Sequence, residues 1–176
     1  MPQSILTDIG LAKITTAAGS GSQVAIAEVA IGDGNGANYN PDYAQTSLVR
    51  ERARRAIEAR SQIEPDKWWI KVEFPPDTIA FNVREVGFFD ADGDLIALFA
   101  GADVEPRQTG VISYIIDHVL DFGRIDDGLV VVSAPDDALF DHMISNIETH
   151  AIIANEQVRQ AIAIRELLFA QKDEVA

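Results

Sequence analysis

From Asp136 to about Lys172 the apolar residues of this chain fall at alternating gaps of four and three. They are Phe140, Ile144, Ile147, Ala151, Ala154, Val158, Ala161 and, past a polar interruption at Arg165, Leu168. That spacing keeps one stripe on one face of a helix and is the pattern of a coiled-coil seam. At ~1.5 Å per residue the helix would extend roughly 55 Å, against a mean of about 11–12 residues for globular helices. No later stretch of sequence is available to cover the stripe, so copies of the same helix are expected to bury it. Pro135, followed by Asp136 and Asp137, suits its start: proline pre-sets φ, and carboxylates favour the positive end of the helix dipole. Asn155 offers the alternative of a second cap, which would let residues 158–168 fold back on the preceding domain.

Upstream the pattern changes from helical to alternating. Thr7 is placed to cap a short helix over residues 8–18, closed by the run Gly19-Ser20-Gly21-Ser22. Residues 23–31 read as a strand, ended by Gly32-Asp33-Gly34-Asn35-Gly36 and a polar loop through Pro41 and Asp42. Residues 48–55 suit either a helical turn or a strand. Residues 57–63 and 68–74 form a hairpin pattern, with Trp68, Ile70, Val72 and Phe74 on one face and Trp69, Lys71 and Glu73 on the other. The strongest hairpin signal is Asp90-Ala91-Asp92-Gly93-Asp94 between strands at 81–89 and 95–100. Strands follow at 111–122 and 129–133, joined through a turn at 123–128. The expected fold is α+β: a mainly antiparallel sheet domain over residues 1–134 with a short N-terminal helix, then a long oligomerising helix over 135–176.

Several residue sets invite a chemical reading. Gly32, Gly34 and Gly36 follow a strand, but the spacing departs from the dinucleotide fingerprint and no helix N-terminus follows to receive a pyrophosphate. Asp90, Asp92 and Asp94 resemble the start of a calcium loop, yet the glycine sits at the fourth position and Gly101 stands where a bidentate glutamate is needed. His142 and His150 lie eight apart on the long helix, without a third ligand fixed by the sequence. Asp141, His142 and Ser145 share a helix surface and do not make a relayed catalytic geometry. No enzyme constellation, metal or cofactor is expected. With no cysteine, thiol chemistry and disulfides are excluded.

Charge narrows the partners. There are 28 acidic against 14 basic residues, a net charge of −14, which disfavours nucleic acid and anionic lipid. No segment approaches the ~20 apolar residues needed to cross a membrane, and no basic region followed by an apolar run marks a secretory signal, so synthesis and assembly in the cytoplasm are expected. Against this background Arg50, Arg52, Arg54, Arg55 and Arg60 cluster tightly. Interleaved Glu51, Glu58 and Glu64 suggest local ion pairs; contact with an acidic partner or neighbouring subunit is the other reading. Trp69, Tyr39 and Tyr43 are candidate stacking residues for a glycan.

Two blocks carry a family resemblance. One runs from Val24 through Glu28 and Ile31 into Gly32-Asp33-Gly34-Asn35-Gly36; the other from Phe81 through Arg84-Glu85-Val86-Gly87 and the Asp-rich turn to Leu95-Ile96-Ala97. Together, and in this order after a Thr-rich helix, they resemble the phage tail-collar fibre family, the N-terminal segment of tail fibres of contractile-tailed phages. The resemblance spans about residues 4–141. It implies a non-enzymatic virion protein that attaches to the phage baseplate, with a homotrimeric shaft beyond it. The expected role is therefore a fibre base or adaptor, trimerised through the Phe140–Leu168 stripe, with a distal tail-fibre protein as a further partner. A host glycan-binding tail module is the alternative. Arg84 and Glu85, adjacent on a strand, point to opposite faces, so one is available to pair internally while the other, with the Arg50–Arg55 group, meets a partner.

Overall fold

The computed structural model describes residues 4–64, 67–101, 104, 108–122 and 128–173. The chain divides into two compact units, Met1–Asp136 and Asp137–Ala176.

The first unit is built on strands β1 (Ile5–Leu6), β2 (Val24–Gly32), β3 (Glu51–Ala56), β4 (Ala59–Glu64), β5 (Lys67–Phe74), β6 (Glu85–Asp90), β7 (Leu95–Ala100), β8 (Tyr114–Asp121) and β9 (Val130–Val132), with helix α1 (Asp8–Ser20) after β1. Thr7 caps α1 as its sequence predicts: its hydroxyl accepts from the Gly10 N–H at 3.0 Å and donates to the Leu95 carbonyl at 2.5 Å. The cap thus also fastens the helix to β7.

One sheet has the order β1-β7-β6-β2-β3, the other β4-β5-β8. All pairs are antiparallel except β9, which runs parallel to β2 over Val24–Ile26. Because β6 occupies one flank of β2, β9 and β3 share the other, at different heights. Beyond β9, the Arg60 N–H of β4 donates to the Pro135 carbonyl at 2.9 Å. That bond stitches the second sheet to the first.

The alternation in β5 is the clearest case of sequence dictating packing. Trp68, Ile70, Val72 and Phe74 are buried in one cluster with Val29 and Ile31 of β2, Val86 and Phe88 of β6, and Ile14 of α1. Between the sheets, the His118 ring of β8 stacks on Phe88 and Phe99, with centroids 5.4 and 4.9 Å away. On the reverse face of the first sheet, Ala30, Phe89, Leu95 and Leu98 form a smaller cluster covered by Leu48.

Several expectations need correction. The open segment 48–55 yields strand β3, because its residues pair with β2. The strand foreseen over 81–89 begins only at Glu85, and that foreseen over 111–122 only at Tyr114. Ile5–Leu6 is a strand that the sequence did not announce, paired to Ala97 and Leu98 of β7. The middle of the link between the strands expected at 57–63 and 68–74, and most of the turn expected at 123–128, lie outside the described residues.

In the second unit a single helix, α2, runs over Ala138–Asp173, 36 residues, without a break at Asn155. Pro135 is not its first helical residue. Pro135 and Asp136 instead follow β9 and bind Arg60 of β4, so the helix starts later, with the Asp137 carboxylate accepting from the Leu139 N–H at 3.1 Å. Among the described residues no helix is long and apolar enough to cross a membrane.

Candidate functional site: a loop anchored on a buried glutamate

Strands β2 and β3 are antiparallel neighbours, with Gly32 paired to Glu51. Between them lie residues 33–50, an excursion that wraps around one side chain. Glu85, at the start of β6 beside Gly32, is 0% exposed. Its Oε1 accepts from the N–H groups of Gly34 (3.1 Å) and Arg50 (2.8 Å). Its Oε2 accepts from the Val49 N–H (2.8 Å) and the Tyr39 hydroxyl (2.7 Å). A carboxyl group withdrawn from water is tolerated only when so satisfied. The fit also explains the glycine motif. A Cβ on Gly32 would lie 2.3 Å from Glu85 Oε1 and 2.5 Å from the Arg50 carbonyl oxygen. The next turn holds Gly34, Asn35 and Gly36 at φ of 56, 55 and 84°, left-handed backbone that favours glycine and asparagine.

Charged and polar groups fix both ends of the loop. Arg50 makes a two-pronged ion pair with Asp33, at 2.6 and 2.5 Å. Its hydrogen bonds outweigh burial and hold the Asp33 carboxyl below the usual carboxylate range. Burial first, and the Glu85 charge as well, pushes the Tyr39 phenol above its ordinary value. Gln45 adds a hydrogen bond to the Tyr39 oxygen at 3.3 Å. Two further points of attachment lie along the loop, and a third place is closely approached. The Asp8 N–H at the start of α1 donates to the Tyr43 carbonyl at 2.8 Å. Arg84 Nη1 donates to Asn38 Oδ1 at 2.7 Å. The Tyr39 carbonyl oxygen lies where a Cβ on Gly101 would be only 2.4 Å away.

The arginines singled out from the sequence divide accordingly. Arg50 is held by Asp33, with Arg52 4.0 Å from the same carboxylate. Arg54 pairs with Glu28 and Glu51 and lies 3.7 Å above the Phe89 ring. Arg60 pairs with Asp136 and covers Trp68. Local ion pairs therefore dominate, but the acids used are mostly remote in sequence; Glu64 pairs with Lys67 instead. Arg55 is exposed and makes no ion pair among the described residues. Of the adjacent pair, Glu85 is the internal partner and Arg84 reaches the loop.

The aromatic candidates are dispersed in role: Trp69 is buried, Tyr39 is committed to Glu85, and Tyr43 is 61% exposed. The aspartate turn carries its own cation. The Lys13 ammonium of α1 reaches Asp90, Asp92 and Asp94 at 2.5, 2.9 and 2.6 Å. Burial alone would lower the Lys13 pKa, but the three carboxylates raise it well above the ordinary ammonium value. His142 and His150 are exposed on α2, the former 3.1 Å from Asn146 Nδ2. Of the helical stripe, Ile147, Ala151, Ala154, Val158 and Ala161 are exposed; the side chains of Phe140, Ile144 and Leu168 lie outside the described residues. Leu139, Met143, Ile153, Ile162 and Ile164 are exposed apolar residues beside that stripe which the spacing did not single out.

The sequence reading missed Lys13 and the anchoring role of Glu85. The only available signal was the pairing of a Gly-Asp-Gly block with an Arg-Glu block.

A sheet domain thus carries an exposed loop anchored from inside, and a long helix with exposed apolar residues follows in the chain. Residues 1–108 match the family model of the phage tail-collar fibre protein, N-terminal, and the chain belongs to that family. It is also 36% identical over 99 residues to a protein described as "Probable tail fiber protein" of Escherichia phage P2. That match covers 54% of this chain and 15% of the relative, so the chain corresponds to a small part of it. The protein is thus a phage tail-fibre structural protein, a component of the virion.

Proposed function

We propose that this chain is a non-enzymatic fibre base or adaptor that attaches to the phage baseplate and trimerises through α2. The observation that carries the reading is the exposed stripe of α2 on a tail-fibre family chain. Ile147 and Val158 are 63% and 58% exposed. Isolated helices gain most of their stability from burying such a face. Mixed Ile, Val and Ala at the seam do not separate two strands from three; the choice of three follows from the family resemblance. Arg55 and Arg84 are the arginines we assign to partner contact, and a distal tail-fibre protein is proposed to continue the fibre.

Light scattering on the purified chain tests the oligomer: a trimer is expected at micromolar concentration, and a monomer refutes it. The double variant Ile144→Asp with Ile147→Asp is expected to dissociate it while the sheet domain keeps its thermal transition.

A further inference from the structure

We propose that the excursion 33–50 is the surface by which this chain grips its assembly partner, and that the partner is a folded protein face rich in hydrogen-bonding groups with an apolar contact for Tyr43. This rests on the attachment reading above and names the surface responsible for it.

The first argument is topological. Antiparallel neighbours such as β2 and β3 are ordinarily closed by loops of about 2–5 residues. With Gly32 opposite Glu51, nothing in the sheet requires a longer path. The core uses little of it beyond Leu48, which covers the reverse-face cluster. No side chain from Asn35 to Ser47 is buried; only Asp33 and Gly34 at one end and Leu48 at the other are.

The second argument is energetic. Ordering an exposed backbone costs on the order of 1–2 kcal/mol per residue, and between Asn35 and Ser47 only the half-buried Tyr39, Pro41 and Gln45 offset any of it. The loop is nevertheless held from inside by Glu85, by Asp33 with Arg50, by α1 at Tyr43 and by Arg84 at Asn38. Fixing a loop in advance removes that ordering cost from a later binding event. That is the situation of a loop built to dock.

The third argument is chemical. Exposed along the loop are Asn35, Asn38, Asn40, Tyr43, Thr46 and Val49, with one carboxylate, Asp42, whose Oδ1 accepts from the Ala44 N–H. Amides, hydroxyls and a tyrosine on a pre-set backbone are the residue types that protein-binding loops use. Arg50, the loop's basic residue, is tied to Asp33, so an acidic or nucleic-acid partner finds little there. A glycan platform is disfavoured because Trp69 is buried and Tyr39 is committed to Glu85.

The test is capture of the full-length chain by baseplates assembled without it, from the phage that encodes it. The loop variant is Tyr43→Ala with Val49→Ser; the control is Ile63→Ser, exposed on β4. Circular dichroism and thermal melting confirm folding of each. Loss of the exposed anchors is expected to weaken capture about tenfold or more, with the control unchanged. Equal capture of wild type and loop variant overturns the loop assignment and leaves attachment standing. No capture of the wild type overturns both. Glycan-array binding by the wild type that Tyr43→Ala abolishes overturns the protein partner.

Discussion

Replacing Glu85 by glutamine retains the side chain's length and one oxygen, but sets an NH2 donor among groups that already donate. Two orientations are available. With nitrogen in the Oε1 position it opposes the Gly34 and Arg50 N–H groups. With nitrogen in the Oε2 position it opposes only the Val49 N–H, because the Tyr39 hydroxyl rotates to accept. The second is cheaper. It forfeits one charge-assisted bond, about 1.5–3 kcal/mol, and leaves one N–H unsatisfied at about 1–3 kcal/mol, less whatever the loop recovers by moving toward water. A net loss of about 3 kcal/mol is expected, equivalent to a fall of roughly 10 °C in melting temperature for a unit of this size. The assay is built into the chain: its two tryptophans, Trp68 and Trp69, both lie on β5 and none lies on α2. Their fluorescence during denaturation therefore reports the sheet domain apart from the helix. Hydrogen exchange should accelerate at Gly34, Val49 and Arg50 before the sheet opens. A change under 1 kcal/mol, with those amides still protected, would refute the anchoring role.

Three other outcomes follow from the same geometry. His118 is buried with Nε2 unpartnered, and burial lowers its pKa from 6.5 to about 4 against the opposing pull of Asp117. The unfolded chain therefore binds the extra proton between those values, so stability is full above pH 6.5 and falls as pH drops toward 4, by about 3 kcal/mol in all; His118→Phe should flatten this slope in tryptophan-monitored urea titrations. Gly32→Ala drives a methyl into Glu85 and the Arg50 carbonyl, and a loss of about 1–3 kcal/mol is expected from overpacking, read as a lower urea midpoint. Lys13→Met leaves Asp90, Asp92 and Asp94 with carboxylate oxygens within 4.8 Å of one another and no cation. It should lower the melting temperature at low ionic strength and much less in about 1 M salt, where screening relieves the repulsion.

What the sequence revealed was local. The β5 alternation, the Thr7 cap and the aspartate hairpin each depend on residues within a few positions of one another, and each appears where its pattern put it. The parallel β2–β9 pair was not legible, because nothing in the Val130–Val132 run states which strand it will join. The same holds for charge. Glutamates interleaved with the arginines were the visible partners, whereas Asp33 and Asp136, brought in by the β2–β3 and β4–β9 neighbourhoods, take Arg50 and Arg60. The start of α2 was hidden in the same way: Pro135 and Asp136 are taken up by Arg60 of β4, and the helix begins after them. The Gly-Asp-Gly and Arg-Glu blocks marked the family, but not that Gly32 lacks a side chain because Glu85 occupies its space.

The two conspicuous exposed features differ in physical character, and the difference fits a division of labour. The 33–50 loop is polar and fixed at several points, so it suits a contact whose geometry must be set before the partner arrives. The α2 stripe is apolar, and burial is non-directional; it rewards association of any copy that presents the same seam. On the proposed reading the second feature strengthens the first. Joining three copies gathers three loops on one body, and after the first contact the remaining loops bind at the high effective concentration that tethering provides. A modest affinity per loop would then suffice for stable attachment. A polar, Asn-rich docking surface is consequently no obstacle to holding a fibre in place.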